Sequence, residues 1–234
     1  EYNGKYMLKN NFEYSKTLLD LAVKNDIKFI YASSASVYGN GDNGFVEKRE
    51  CEYPLNVYAY SKFLFDQYVR NLKNQKISIQ IVGLRFFNVY GPQENHKDKM
   101  ASVIYHFHNQ IIKEKKLKLF EGSDTFLRDF IHVDDIIKII LHFYKNDISG
   151  IYNSGTGRAE SFLSIAKIME KLYEDTKIEF IPFPEQLKGK YQKFTQADLT
   201  NLKNIGKYND TFISLQDGVT NYVKILKESN GYYK

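Results

Sequence analysis

The stretch Ile27-Lys-Phe-Ile-Tyr-Ala-Ser-Ser-Ala-Ser-Val-Tyr-Gly-Asn-Gly-Asp-Asn-Gly44 decides how this chain is read. Its opening, Ile27-Lys-Phe-Ile-Tyr31, is a short apolar run of β-branched and aromatic residues, the pattern of a buried strand. Its last six residues, Gly39 to Gly44, spell GxGxxG, the spacing of a turn that grips a dinucleotide's pyrophosphate. Such a turn works only when it leaves a strand and opens a helix, whose first N–H groups then meet the phosphates. The residues after Gly44 are instead charged at Glu47, Lys48, Arg49, Glu50 and Glu52, and the run then meets Pro54. No apolar stripe of helical period is present, so no helix is expected, and Asn and Asp between glycines suit a plain tight turn. We read 39–44 as a turn and take the strand as the informative half.

Working outward, helical and strand patterns alternate. Residues 5–24 carry apolar positions at helical spacing (Met7, Leu8, Phe12, Leu18, Leu19, Leu21, Ala22) ahead of the strand. Helices are expected over 58–72, 100–115, 134–144, from a Ser161 cap to about 174, and over 215–226; further strands over 77–87, 150–154 and 178–181. This order predicts an α/β fold built on a doubly wound parallel sheet. Such a sheet ordinarily opens with a strand, a Gly-rich turn and a helix. This chain opens in a helix, so the expectation is a Rossmann-like sheet truncated at its N-terminal end.

Composition narrows the class. Of 234 residues, 43% are hydrophobic and 26% charged, the balance of a folded chain rather than a disordered one. A single cysteine, Cys51, excludes an internal disulfide and suits a reducing compartment. No apolar run approaches the ~20 residues of a membrane span and no signal-peptide pattern is seen, so a cytoplasmic protein without a membrane partner is expected. The net charge of +5 is spread among carboxylates, apart from Lys113-Glu-Lys-Lys-Leu-Lys118, read as the solvated end of a helix. Nucleic acid is therefore not an expected partner, whereas a small diphosphate ligand is compatible. His106 and His108 stand two apart on a helix and diverge, and nothing else has ligand spacing, so no metal site is expected.

The chemistry-bearing pattern is Tyr58-Ala-Tyr-Ser-Lys62, a YxxxK spacing at a helix start. Four residues put Tyr58 and Lys62 one turn apart on one face. A phenol with a pKa of about 10 is a poor base at neutral pH unless a cation stabilises the phenolate; lowering it by about three units takes about 4 kcal/mol. The pair alone is common in helices. Its surroundings are less so. Upstream, Tyr31-Ala-Ser-Ser-Ala-Ser-Val-Tyr-Gly39 brings small hydroxyl residues to the carboxyl end of a strand, the edge where open α/β sheets bind ligands. Downstream come Arg85-Phe-Phe-Asn-Val-Tyr-Gly-Pro92, Arg128-Asp-Phe-Ile-His-Val-Asp-Asp135 and Asn153-Ser-Gly-Thr-Gly157.

Together, in this order, these motifs resemble the extended short-chain dehydrogenase/reductase family, whose members rework nucleotide sugars. Pro54-Leu-Asn-Val-Tyr58, Glu94-Asn-His-Lys97, Met100-Ala-Ser-Val103, Leu119-Phe-Glu-Gly-Ser123, Gly157-Arg-Ala-Glu-Ser-Phe162, Pro182-Phe-Pro184 and the run from Lys188 to Leu202 are similar to its ADP-heptose 6-epimerase branch. The resemblance implies residues 1–92 as the remainder of a cofactor-binding Rossmann domain and 93–234 as a smaller C-terminal α/β substrate region, with 126–156 returning to the first. It implies NADP as cofactor, with NAD possible because the residues that read the ribose 2′ position are not in this chain. It further implies an ADP-heptose substrate and a homo-oligomer. By matching motif positions, Ser34, Tyr58, Lys62 and Lys97 would be catalytic, Lys97 as a second base serving the opposite face of a carbon-6 ketone. Asn10, Lys62 and His96 would line the cofactor. Asn88, Lys99, His106, Phe120, Glu121, Gly122, Ser123, Arg128 and Tyr191 would contact substrate, Arg128 as a planar fork for the diphosphate. Other readings of single residues are a surface lysine at 97, a solvated Asn10, core packing at Tyr191 and an Arg128–Asp129 ion pair. The related dehydratases place an acid pair after the hydroxyl residue; Ala35 and Ser36 offer no carboxylate there. Another nucleotide-sugar epimerase, or a cofactor-less binding protein, would be the alternatives.

Overall fold

A computed structural model describes residues 3–73, 77–185 and 192–233. The chain divides into two compact units. One comprises Glu1–Phe87, Lys138–Gly155 and Ala197–Asp210, and the other Asn88–Ile137, Thr156–Gln196 and Thr211–Lys234.

The first unit opens in the expected helix, which is not uniform. α1 (Gly4–Met7) is capped by the Asn3 side chain, the segment Leu8–Glu13 is π-helical, and α2 (Tyr14–Lys24) completes the run. The wider turn shows in the bond from the Tyr14 N–H to the Lys9 carbonyl, five residues back. The next element, strand β1, is Phe29–Ser34 rather than 27–31. The Ile27 N–H still bonds to the Ala22 carbonyl as part of the preceding helix's C-terminal turn, so pairing cannot begin before Phe29. α3 (Val57–Lys73), entered through the Asn56 side chain accepting from the Ala59 N–H at 2.9 Å, crosses over to β2 (Ile81–Phe86). β1 and β2 pair in parallel, and β2 pairs in parallel with β6 (Gly150–Ser154). The core of this unit packs α2 and α3 on the sheet through Leu19, Ala22, Phe65, Val69, Ile79 and Ile81, all buried.

Tyr31 on β1 stands opposite Gly83 on β2, and a Cβ on Gly83 would lie 2.4 Å from the Tyr31 hydroxyl. The glycine leaves room for a buried tyrosine to reach across to α3. The GxGxxG match is a turn, as its context predicts. A 3₁₀ turn at Ala35–Tyr38 leads into it, no α-helix succeeds it, and Gly41 (φ 80°) sits against the ring of buried Phe45, 2.2 Å from where a Cβ would be.

Under this layer lies one buried charged network. Arg85 on β2 is fully buried; its Nε donates to Asp66 at 2.9 Å, Nη1 donates to the Tyr38 hydroxyl at 2.9 Å, and Nη2 pairs with both Glu52 and Asp66. Asp66 also accepts from the Tyr31 hydroxyl at 2.8 Å and the Ser33 hydroxyl at 3.0 Å, and Glu52 accepts a fork from Arg70. A buried charge is tolerated only when paired and fully hydrogen-bonded, and here one guanidinium is shared by two carboxylates.

In the second unit, β3 (Asn88–Tyr90) pairs in parallel with β5 (Leu127–His132), and β5 pairs antiparallel with β7 (Ala159–Ser161). The single strand expected over 77–87 is thus shorter, and the chain leaves the first sheet after Phe86 to pair elsewhere from Asn88. α4 (Val103–Glu114) starts at a Ser102 cap, later than 100, because residues 95–100 form a 3₁₀ turn. β4 (Lys116–Phe120) pairs with β8 (Lys177–Ile181), which corrects the reading of 113–118 as a solvated helix end. Lys115 (φ 55°) stops the helix, and Leu117 and Leu119 are buried between exposed or half-exposed lysines, a period of two. α6 (Phe162–Leu172) begins at the predicted Ser161 cap, and α8 (Leu215–Ser229) runs past its expected end. The core here gathers Ile104, Ile111, Leu117, Ile165, Met169, Val219 and Tyr222, each inaccessible to water. α5 (Val133–Lys145) spans the division between units, and α7 (Thr200–Asn204), not foreseen in the sequence, belongs to the first.

The network gives a stability prediction. Burial pushes the Glu52 carboxyl up, but hydrogen bonds from Arg70 and the charge of Arg85 outweigh it and hold the group below its ordinary value. Glu52→Gln should therefore cost roughly 3 kcal/mol near neutral pH, because Arg85 and Arg70 lose the carboxylate they share and Asp66 alone remains beside Arg85. A group depressed on folding contributes stability above its unfolded pKa and loses it as pH falls through the folded one. The gap between wild type and variant in urea unfolding should thus narrow below the ordinary glutamate range; a gap constant with pH would contradict it.

Candidate active site

Ser34 is the last residue of β1, at the carboxyl edge of the parallel sheet. It is half-buried, and its Oγ accepts from the Ser36 N–H at 3.2 Å and from the Ser36 hydroxyl at 2.9 Å. Tyr58 lies in the first turn of α3 with its side chain exposed, and Lys62 stands one turn on, its ammonium 6.0 Å from the Tyr58 ring centre. Lys62 Nζ donates to the Ala32 carbonyl at 3.0 Å, two residues before Ser34 on the same strand. Burial lowers the Lys62 pKa, and the carboxylate of Asp66, one further turn along α3, works against that shift. The sequence-assigned Ser34, Tyr58 and Lys62 are therefore gathered by one strand end and one helix start. The YxxxK spacing does this because Asp66, on the next turn, is locked to β1 through Tyr31 and Ser33. That lock was not foreseen in the sequence, where Asp66 reads as one more charged residue on a helix.

Asn10 lies in the π-helical segment of the same unit, and its amide donates to the Tyr6 carbonyl at 2.8 Å on an exposed face. Its neighbour Asn11 is the one that reaches α3, donating to Ser61 Oγ at 3.1 Å.

In the second unit, His96, Lys97 and Lys99 share the exposed 3₁₀ turn Asn95–Met100. Buried Glu94 pins the start of that turn: its carboxylate accepts from the Ser102 N–H at 2.7 Å, the Ser102 hydroxyl at 2.5 Å and the Tyr222 hydroxyl at 2.9 Å. Asp98 inside the turn is held at φ 46°. Asn88 is exposed at the start of β3, and His106 is half-buried on α4. Phe120 ends β4 and packs edge-on to Phe183, with ring centres 5.5 Å apart. Glu121 and Gly122 are exposed in the turn after it. Ser123, by contrast, is 2% exposed, and its hydroxyl has no hydrogen-bond partner among the described residues.

Arg128 on β5 is buried, its guanidinium donating to the Leu127 carbonyl at 2.9 Å and to the Gln192 carbonyl, with the Phe162 ring 5.8 Å away. The neighbouring Asp129 accepts from the Thr156 N–H and hydroxyl, both at 2.7 Å, and from the Gly157 N–H at 2.9 Å. Asp129 thereby holds Thr156 and Gly157, the last two residues of the Asn153-Ser-Gly-Thr-Gly157 motif. Tyr191 lies outside the described residues. No group of His, Cys, Asp and Glu able to hold a metal ion exists among the described residues.

Comparison with known proteins gives the family of the chain. The chain is 54% identical over 234 residues to an ADP-L-glycero-D-manno-heptose-6-epimerase of Brachyspira hyodysenteriae, covering 99% of this chain and 73% of that relative. It superimposes on the crystal structure of the Helicobacter pylori ADP-L-glycero-D-manno-heptose-6-epimerase with a TM-score of 0.84 at 33% identity, over 97% of this chain and 68% of that one. A UDP-N-acetylglucosamine 4-epimerase from Methanobrevibacter ruminantium matches with a TM-score of 0.79 at 26% identity, over 92% of this chain and 68% of that one. With residues 1–155 matching its family pattern as well, the chain belongs to the NAD dependent epimerase/dehydratase family.

Proposed function

We propose that the protein epimerises carbon 6 of ADP-D-glycero-D-manno-heptose to the L-glycero form, for the heptose of lipopolysaccharide, by oxidising that carbon to a ketone and reducing it from the other face. One observation carries this reading. Lys62 is held to Ala32, two residues before Ser34 on β1, and stands one helical turn from an exposed Tyr58. A nicotinamide cofactor, NADP in this reading and NAD as the alternative, supplies acceptance and return of the hydride when bound. The residues fit such a group: an ammonium has three donors, and the bond to Ala32 uses one, leaving two for ribose hydroxyls.

Tyr58 takes the proton of the carbon-6 hydroxyl as the hydrogen on carbon leaves as hydride, giving the ketone. Ser34 donates a hydrogen bond to that oxygen. On the return, the ketone turns so that its other face receives the hydride, and its oxygen, now on the other side, takes a proton from Lys97. Two donors suit the chemistry, because turning the ketone to present its other face moves its oxygen away from the first rigid donor and toward a second on the opposite side. The anchoring of the 95–100 turn by Glu94 supports Lys97 as a positioned group rather than a loose surface charge. Arg128 would bind the diphosphate, with Asn88, His106, Lys99 and residues 120–123 around the rest of the substrate; His96 and Asn10 would face the cofactor. We place the enzyme in the cytoplasm as a homo-oligomer. Among the described residues no helix is long and apolar enough to cross a membrane.

The full-length protein allows two tests. Tyr58→Phe and Lys97→Met should each lower epimerisation by about 10²- to 10⁴-fold, as positioned acid–base groups do, without loss of ADP-sugar affinity. Lys62→Met should lower cofactor affinity as well as rate. Near-normal turnover by Lys97→Met would return that lysine to the surface, and equal losses of rate and binding would make it a substrate clamp. Separately, Ser123→Ala should leave the melting temperature unchanged, because the hydroxyl has no partner among the described residues, yet weaken ADP-sugar binding by roughly three- to tenfold. A lowered melting temperature with unchanged calorimetric affinity would contradict its assignment to substrate.

A further inference from the structure

We propose that Ser36 is a positioning residue that fixes the direction of the Ser34 hydrogen bond, turning Ser34 into an obligate donor to the reacting oxygen. A serine hydroxyl has one proton to give and two lone pairs to accept with. On Ser34 Oγ both lone pairs are taken by the same residue: the Ser36 N–H at 3.2 Å and the Ser36 hydroxyl proton at 2.9 Å. The backbone bond is the ordinary start of the 3₁₀ turn Ala35–Tyr38, for which Ser34 is the cap. The hydroxyl bond is an addition that the turn does not need, and only a hydroxyl residue at 36 supplies it. Ser34's own proton has no acceptor among the described residues, and the side chain is half-buried. What remains of its hydrogen-bonding capacity points away from Ser36 as a donor.

This has a consequence for the order of proton movements. A substrate alcohol approaching Ser34 can accept its proton but cannot donate to it, because no lone pair is free. The substrate's own O–H must then be directed to another acceptor, which in the proposed mechanism is Tyr58, the group that removes it. As the ketone forms, its oxygen gains from a donor already aimed, with no rotation required at the moment of reaction. Donation from Ser36 into Ser34 also polarises the Ser34 O–H and strengthens it as a donor. No carboxylate stands at 35 or 36, so the position orients a proton and does not deliver one.

The inference rests on Ser34 acting on the reacting oxygen, and a double-mutant cycle in the full-length protein separates the two. Ser36→Ala should lower kcat roughly three- to tenfold, the loss of one hydrogen bond, with KM and the melting temperature nearly unchanged. Ser36→Thr, which keeps the hydroxyl, should restore most of the rate. In a Ser34→Ala background the Ser36→Ala change should add nothing, since there is no hydroxyl left to orient. Wild-type turnover by Ser36→Ala, or the same loss in both backgrounds, would overturn the positioning role while leaving Ser34 in place. Wild-type turnover by Ser34→Ala would instead remove the reading on which it stands.

Discussion

One guanidinium without access to water organises the first unit. Arg85 joins a strand in the middle of the sheet to Asp66 on α3 and to Glu52 in the loop ahead of that helix. Removing Arg85 would leave buried Asp66 without its cation and Glu52 with Arg70 alone, so the guanidinium is the member whose loss costs most. Because Asp66 also holds Tyr31 and Ser33 of β1, the helix carrying Tyr58 and Lys62 is locked in register with the strand that ends in Ser34. Side chains that act on one oxygen atom need placement to within a fraction of an ångström. A charged lock resists sliding in a way that an apolar contact between helix and sheet does not.

The same lock shapes the electrostatics around Lys62. Burial alone would favour the neutral amine, yet the Asp66 carboxylate one turn away favours the ammonium. In the proposed mechanism, the cation that Tyr58 needs is thus favoured by a carboxylate that is itself buried beneath it. In the second unit a comparable device recurs without a cation: Glu94 gathers two donors from Ser102 and one from Tyr222 to hold the turn that presents Lys97.

Much of this was legible in the sequence, for reasons that differ between elements. Helices with a wide apolar stripe and a side-chain cap, such as the one opened by Ser161, were found because cap and period agree. The context of GxGxxG exposed it as a turn, since charges and a proline close off the helix that a phosphate site requires. Strand β4 was misread because its lysines dominate a short segment, although Leu117 and Leu119 alternate with them as buried residues do. The run 77–87 was read as one strand because its apolar character is unbroken; where the backbone changes partners is a tertiary choice that local pattern does not encode. Ser34, Tyr58 and Lys62 were singled out by motif order, and they lie at one strand end and one helix start. Their dependence on Arg85, Asp66 and Glu52 was not, since these lie 14 to 33 residues apart in pairs and nothing local marks charged residues as buried. The same holds for Ser36, which looked like one more small residue in a hydroxyl-rich strand end.

In the proposed mechanism hydrogen leaves carbon 6 as hydride and comes back to that carbon, with only oxygen-bound protons exchanged by side chains. Epimerisation of the ADP-heptose by the full-length protein in D₂O tests this directly, with the product read by mass spectrometry and NMR. A hydrogen carried to the nicotinamide and returned does not mix with solvent, so the product formed should contain no deuterium at carbon 6. Deuterium at that carbon, appearing in step with epimerisation, would mean that a side chain removes the carbon-bound proton, and would contradict the oxidation–reduction mechanism.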